Sequence, residues 1–170
     1  MTNPRYPLRL NVGFILHEEV GSNHEFTFDL PEVTLGDDLE LRELAGTLTI
    51  GRTAQGLLFT GDFRGQTELT CVRCLKPFDQ GLAWTLTELY ASSEKSMSDS
   101  GLLVPEDAQI DLAPIIREYA LLEVPINPLC QPDCKGLCPV CGQDLNLRDC
   151  GHRPDAGESP FAAIQDFLKP

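Results

Sequence analysis

The chain has 170 residues, a length that suits a single domain with a buried core and at most a small appendage. Its 26 acidic and 13 basic residues give a net charge of −13, and so negative a protein is repelled by the phosphate backbone of nucleic acids. The composition therefore argues against tight autonomous binding to nucleic acid and favours a basic protein partner, unless the charge serves only to keep the protein in solution.

The sequence also favours a cytoplasmic protein. No apolar run approaches the ~20 residues that a membrane-spanning helix needs, and residues 1–5 lack the charged and then apolar pattern of a signal peptide. In a reducing compartment cysteines serve more often as metal ligands than as disulfides, and an odd number such as seven cannot be fully paired. We therefore expect no membrane association and cysteines that bind metal.

Residues 1–90 alternate between apolar and polar positions, the pattern of half-buried β-strands. The apolar members of this alternation are Leu8, Leu10, Val12, Phe14, Phe26, Phe28, Leu48, Ile50, Leu82, Trp84 and Leu86. Strands predicted at 57–60, 66–71 and 82–90 follow one another closely enough to form a meander. We therefore predict a β-rich domain over 1–90 that contains the first C-x-x-C motif, built as an antiparallel β-meander or a small open barrel.

A polar segment and a helix are predicted next. Residues 91–109 are rich in small and polar side chains, which indicates a flexible loop. Asp111 is a typical helix N-cap, and Pro114 is tolerated in a first helical turn. An amphipathic stripe at helical spacing follows, made of Leu112, Ile115, Ile116, Tyr119 and Leu122. We predict a helix over 110–124 whose apolar face packs on the sheet.

The last part of the chain is predicted to be a zinc-binding segment and a short helix. Residues 125–157 show no periodicity and carry five of the seven cysteines. Ser159 and Pro160 then open a helix over 158–170, with a capping residue followed by proline at the first position. The fold class is therefore α+β: a β-meander or open barrel, one amphipathic helix, a cysteine-rich segment and a terminal helix.

The cysteines and one histidine have the spacing of zinc ligands. Zinc takes four ligands at the corners of a tetrahedron, and two cysteines two residues apart on a tight turn reach one ion together. Gly142 after Cys141 supplies the positive φ that such a turn requires. Eight ligands make two closed sites with no position left for a catalytic water. The candidate ligands are Cys71, Cys74, Cys130, Cys134, Cys138, Cys141, Cys150 and His152.

The division of these ligands has a preferred solution and several alternatives. The last four candidates are contiguous and can close one site, which leaves Cys71 and Cys74 to meet Cys130 and Cys134 in the other. A single site with Cys130 or Cys134 as an ordinary buried thiol is an alternative. So is rubredoxin-like iron, which uses the same thiolate geometry. A redox dithiol at 71–74 is disfavoured because such pairs begin helices, whereas this one follows a strand pattern.

Two motifs resemble those of the YceD family, the large ribosomal RNA subunit accumulation proteins. They are CVRCLKPF at 71–78 and PLCQPDCKGLCPVCG at 128–142, followed by DLN at 144–146. Where the family often has Cys-x-Cys, this chain has Cys150 and His152, a replacement that preserves zinc ligation. Some members keep only the first two ligand pairs, which implies that Cys71, Cys74, Cys130 and Cys134 share a site.

The resemblance implies a zinc-stabilised, non-catalytic factor in biogenesis of the large ribosomal subunit. Such a factor supports accumulation of 23S ribosomal RNA and binds a ribosomal precursor RNA or a basic large-subunit ribosomal protein. In such a factor Arg64, Arg73 and Lys76 form a local positive cluster, but three charges give only weak RNA binding at physiological salt. The alternative is a zinc-ribbon protein that binds nucleic acid or assists transcription; the knuckle from Cys138 to Gly142 favours it, and the neutral charge of residues 130–153 argues against it. An enzyme is disfavoured, because no Ser/His/Asp set, phosphate loop or carboxylate pair stands out.

Overall fold

The structure, a computed structural model, describes residues 7–97 and 101–152. Its contacts divide the chain into two compact units. The first unit comprises residues 1–69 and 79–126, and the second comprises residues 70–78 and 127–170. The first C-x-x-C motif, which the sequence places in the β-rich domain 1–90, groups here with the later cysteines. The helix expected over 158–170 lies outside the described residues.

The first unit is built around a four-stranded sheet. In chain order the elements are β1 (Arg9–Asn11), α1 (Gly13–Leu16), β2 (Asn23–Leu35), β3 (Leu39–Arg52), β4 (Gly56–Thr70), β5 (Pro77–Ala91), β6 (Gln109–Asp111) and α2 (Ala113–Leu122). The sheet has the order β2-β3-β4-β5, with β2–β3 and β3–β4 antiparallel, and β1 pairs separately with β6. This open meander with helices confirms the predicted α+β class.

The strand β4 is longer than the sequence predicts. The segments 57–60 and 66–71, predicted as two strands, form one continuous strand in which Leu57, Phe59 and Phe63 point into the core. Gly61, which resembles a strand break in sequence, is a point of close backbone approach: a Cβ there would lie 2.7 Å from the Thr47 carbonyl oxygen. Glycine in a strand therefore marks tight packing here and not a turn.

The start of the chain departs from simple alternation. Leu8, Leu10 and Val12 are buried as predicted, but the strand β1 ends at Asn11. The Asn11 side chain accepts a hydrogen bond from the Gly13 amide at 3.0 Å, and the chain turns into α1. Phe14 therefore lies on a one-turn helix and is half exposed, so the predicted strand is too long at this end.

The helix α2 buries one face in the core of the first unit. Ile115, Ile116 and Ala120 are buried, whereas Leu122 at the end of the stripe is exposed. Asp111, predicted as the N-cap, lies in β6, and the N-cap is Leu112. The Asp111 carboxylate still accepts a hydrogen bond from the Ala113 amide at 3.0 Å, one of the free donors at the helix start. Within the described ranges, no helix is long and apolar enough to cross a membrane.

Candidate metal centre

The first C-x-x-C motif forms a tight turn, the first knuckle, over residues 71–76. The Cys71 amide donates to the Lys76 carbonyl at 2.9 Å, and the Leu75 amide donates to the Cys71 carbonyl at 2.9 Å. These two bonds direct the side chains of Cys71 and Cys74 to the same side. Leu75 reaches this geometry at a φ of +57°, in the left-handed region that favours glycine.

The third cysteine pair forms the same turn, the second knuckle, over residues 138–143. The Cys138 amide donates to the Gln143 carbonyl at 2.8 Å, and the Gly142 amide donates to the Cys138 carbonyl at 2.8 Å. Glycine stands at the left-handed position, with a φ of +71°, as the sequence predicts. Two equivalent turns therefore present two equivalent cysteine pairs, one at each candidate site.

The first site consists of Cys71, Cys74, Cys130 and Cys134, whose sulfurs all lie within 4.8 Å of one another. The Cys71 and Cys134 sulfurs are 3.8 Å apart, and those of Cys74 and Cys130 are 3.6 Å apart. A tetrahedron with zinc–sulfur bonds of about 2.3 Å has edges of about 3.8 Å. These spacings fit a shared ion and are too long for disulfides, and all four thiols are free.

Backbone contacts hold the first knuckle against the second cysteine pair. Arg73 donates from its guanidinium to the Cys134 carbonyl at 2.7 Å, and its own carbonyl accepts from the Leu137 amide at 3.0 Å. Gly136 has a φ of +76°, and a Cβ there would lie 2.8 Å from the Arg73 carbonyl oxygen. The close approach of these segments therefore depends on glycine at 136.

The second site consists of Cys138, Cys141, Cys150 and His152, whose ligand atoms also lie within 4.8 Å of one another. The Cys150 sulfur is 3.4 Å from Nδ1 of His152. Only Cys138 is buried; Cys141 and His152 are exposed. The structure thus brings together the eight candidate ligands in two sets of four, and the second set is the more open to solvent.

The sulfurs in each site affect one another's protonation. Hydrogen bonding from the Cys130 backbone lowers the pKa of Cys71 to about 6, and the backbone of Cys141 does the same for Cys138. Loss of hydration and the adjacent Cys74 thiol raise the pKa of Cys130 to about 12. One thiolate is therefore favoured at the cost of the next, and only a cation lets all four ionise together.

A polar network surrounds the first site. Lys76 of the first knuckle lies 2.6 Å from a carboxylate oxygen of Asp144, which holds the pKa of that carboxyl below its usual range. The other oxygen of Asp144 accepts bonds from the backbone and side-chain nitrogens of Asn146, each at 2.9 Å. Nδ2 of Asn146 then points at the Cys134 sulfur at 3.4 Å.

Sequence reasoning missed the roles of this network. Asp144 and Asn146 enter the sequence argument only as part of a motif, and Lys76 and Arg73 appear there as a positive cluster open to RNA. The structure pairs Lys76 with Asp144 and directs Arg73 to the Cys134 carbonyl. Residue spacing carries no sign of these contacts, because the partners of Lys76 and Arg73 lie more than 50 positions away along the chain.

Residues 59–168 match the family described as large ribosomal RNA subunit accumulation protein YceD. The uncharacterized protein Rv2926c of Mycobacterium tuberculosis is 32% identical over 163 residues, which cover 92% of this chain and 75% of that protein. The chloroplastic large ribosomal RNA subunit accumulation protein YCED homolog 1 of Arabidopsis thaliana is 38% identical over 68 residues, 38% of this chain and 21% of that protein. No solved structure matches the chain.

Proposed function

Since this chain belongs to the YceD family of large ribosomal RNA subunit accumulation proteins, we propose that it is a non-catalytic factor in large ribosomal subunit biogenesis. It supports accumulation of 23S ribosomal RNA, and two structural zinc ions stabilise its second unit. The observation that carries the proposal is the arrangement of eight thiol and imidazole side chains in two sets of four, within the residues 59–168 that match the family. The protein works in the cytoplasm, where a reducing environment keeps the ligands available.

Zinc fits these ligand sets better than a catalytic or redox role does. Each set offers four protein ligands, and a closed tetrahedron has no position for a water or substrate. Sulfur-rich sets with at most one imidazole are typical of structural zinc. In such a site Cys71, Cys74, Cys130 and Cys134 hold one ion, and the four ligands of the second site hold the other. Bound zinc supplies charge that offsets the thiolates and a rigid cross-link between distant segments.

The charge of the two units favours a basic partner protein. The segments of the first unit contain 20 acidic and seven basic residues, and those of the second contain six of each. A basic large-subunit ribosomal protein is attracted to the first unit at long range, whereas RNA is repelled by it. Arg73 and Lys76 already bind partners within the second unit, which leaves fewer cations for phosphate. Ribosomal precursor RNA is therefore the second candidate partner.

Elemental analysis tests the metal part of the proposal. We expect about two zinc ions per chain in protein purified without added metal. Cys150→Ser should reduce this to about one, with the strands of the first unit intact by circular dichroism. Iron in place of zinc, or a full complement of readily alkylated thiols in the purified protein, would contradict structural zinc and favour a redox role for Cys71 and Cys74.

Affinity capture from cells tests the partner. Cross-linked complexes should be enriched in large-subunit ribosomal proteins or 23S precursor RNA relative to an equally expressed Cys71→Ser control. Depletion of the protein should lower the ratio of 23S to 16S ribosomal RNA, and re-expression should restore it. Recovery of neither class of molecule, with an unchanged RNA ratio, would contradict the proposed function. It would not contradict the proposed metal sites.

A further inference from the structure

Asn146 contacts one candidate metal site while lying inside the loop that the other site closes. Its side chain reaches a sulfur of the first site, at Cys134. In the chain it lies between Cys141 and Cys150, two ligands of the second site. We infer that Asn146 is a positioning residue that couples the two sites, so that metal in the second site strengthens metal binding at the first. This inference rests on the proposed zinc sites.

The Asn146 amide is oriented from both ends. Its Oδ1 accepts a hydrogen bond from the Lys135 amide at 2.8 Å, which fixes the flip of the side chain. Its Nδ2 is then directed at the Cys134 sulfur, 3.4 Å away, and at Oδ1 of Asp144, 2.9 Å away. An N–H aimed at a thiolate is a charge-assisted hydrogen bond. The amide therefore acts on the charged, metal-binding form of Cys134.

The first site needs such a donor because of its charge. Four thiolates around one divalent ion leave an excess of two negative charges, and three of the four cysteines are buried. Lys76, a cation of the network, is already paired with Asp144, and the Arg73 guanidinium donates to the Cys134 carbonyl. Loss of an outer hydrogen bond to a metal ligand commonly lowers metal affinity about 10–100-fold, and we expect an effect of that size for Asn146.

The loop that carries Asn146 is held by the second site. Cys141 and Cys150 flank residues 142–149, so an ion bound by both closes that loop. Inside it, Asp144 orients the backbone and side chain of Asn146, and the Leu145 amide donates to the Gly136 carbonyl at 2.9 Å. Without the ion the loop gains conformational freedom, and the donor leaves Cys134. Linkage requires the effect to be reciprocal: metal in the first site favours metal in the second.

Cobalt(II) substitution of the whole protein tests this coupling. A site of four cysteines and a site of three cysteines and a histidine give different ligand-field spectra, so chelator competition yields each affinity separately. Asn146→Asp keeps the shape and the acceptor for the Lys135 amide but replaces the donor with a negatively charged oxygen, which repels the Cys134 thiolate. We expect this variant to lose about 10–100-fold in affinity at the first site, with a shifted sulfur-to-cobalt charge-transfer band. Cys150→Ser should weaken the first site to a similar extent.

The double variant decides the matter. If Asn146 transmits the coupling, adding Asn146→Asp to Cys150→Ser should change the first-site affinity less than twofold, because the donor is already displaced. Independent effects of the two substitutions on first-site affinity would overturn the inference. An unchanged first-site affinity in Cys150→Ser would overturn it too. If Cys150→Ser does not fold, His152→Ala repeats the cycle with three cysteines retained.

A matched control comes from the same loop. The Leu147 side chain is 75% exposed, and no described contact joins it to a sulfur. Leu147→Ala should leave both the first-site affinity and its charge-transfer band unchanged; an effect equal to that of Asn146→Asp would mean that any loop damage suffices and would overturn the inference. A protein that binds no metal at either site would instead contradict the proposed function.

Discussion

The two units of this chain are stabilised in different ways. Among the described residues, the core of the first unit contains 23 buried side chains, all of them aliphatic or aromatic. The buried cluster of the second consists of Cys71, Cys74 and Cys134, with Phe78, Leu129 and Leu137 packed partly against it. Apolar burial is proportional to area, so it can sustain the first unit but offers little to the second. Among the described residues, cysteines therefore occupy the centre of the second unit, where the first has aliphatic and aromatic side chains.

The two units also differ in net charge and in secondary structure. All of the net negative charge arises in the segments of the first unit, whereas the second is neutral. Long strands dominate the first, while residues 127–152 contain no helix and only an isolated bridge between Leu137 and Asp144. Gly136, Gly142 and Gly151 turn that backbone at positive φ. Regular hydrogen bonding between strands thus fixes the backbone of the first unit, whereas turns and the candidate ligands fix that of the second.

The largest expected effect is that of metal removal, which should unfold one unit and not the other. With a strong chelator at neutral pH, we expect the second unit to unfold while the first stays folded, because the described part of the second unit has no apolar core. Hydrogen exchange should show lost protection at the amides of Cys71, Leu75, Cys138 and Gly142, with strands β3 and β4 still protected. Joint melting of both units, or persistent protection of the knuckles, would contradict the comparison.

Truncation of the first core should have the opposite effect. Phe59 is fully buried and packs against Tyr90, with ring centroids 4.6 Å apart. Phe59→Ala should lower the free energy of unfolding of the first unit by about 3–5 kcal/mol, since a large cavity replaces the ring. The zinc content per folded chain should not change. Urea denaturation with parallel metal analysis checks both, and Leu58→Ala, at a neighbour that is 37% exposed, is the control.

Replacement of Leu75 by glycine should stabilise the second unit. Leu75 is 64% exposed and has a φ of +57°, at the position that Gly142 occupies in the second knuckle. Leu75→Gly should raise the stability of the loaded protein by about 0.5–1 kcal/mol, because relief of strain exceeds the added entropy of the unfolded chain. Chelator resistance of the first site measures this. Val72→Gly, at an ordinary φ, should lower it; equal losses in the two variants would contradict a strained Leu75.

The smallest expected effect concerns an ion pair of the first unit. The hydrogen-bonded Arg117 guanidinium holds the pKa of Asp38 below its usual range. The pair therefore contributes stability above the unfolded pKa, near 4, and this contribution is lost as pH falls through the folded pKa. Asp38→Asn should lower the melting temperature of the first unit by about 1–3 °C at pH 7, and the difference should vanish in acid.

Thermal scans against pH test that ion pair. Glu40→Gln removes an exposed carboxylate that joins no ion pair among the described contacts, and it should leave the melting temperature unchanged or raise it slightly, since the protein is strongly acidic. A difference between Asp38→Asn and the parent that persists below pH 3 would show that packing, and not charge, explains it. The zinc content should be the same in all three proteins.

Much of the first unit could be predicted from alternation alone. Period-two patterns identify buried positions such as Leu10, Leu48 and Trp84, because a strand with one face in the core must alternate. Prediction failed where a contact overrides the pattern. The Asn11 side chain captures the Gly13 amide and ends β1, and close packing against Thr47 explains a glycine that looks like a strand break.

The sequence by itself determined the candidate ligands of this protein, since cysteine pairs two residues apart with a following glycine leave few alternatives to a metal-binding turn. Their division into two sets followed from proximity and family resemblance, and occupancy by zinc stays a proposal. Only the tertiary structure placed Cys74 beside Cys130, 56 positions away. It alone also directed Asn146 at the Cys134 sulfur. Such contacts join segments that no local pattern relates, so their geometry exists only once the chain has folded.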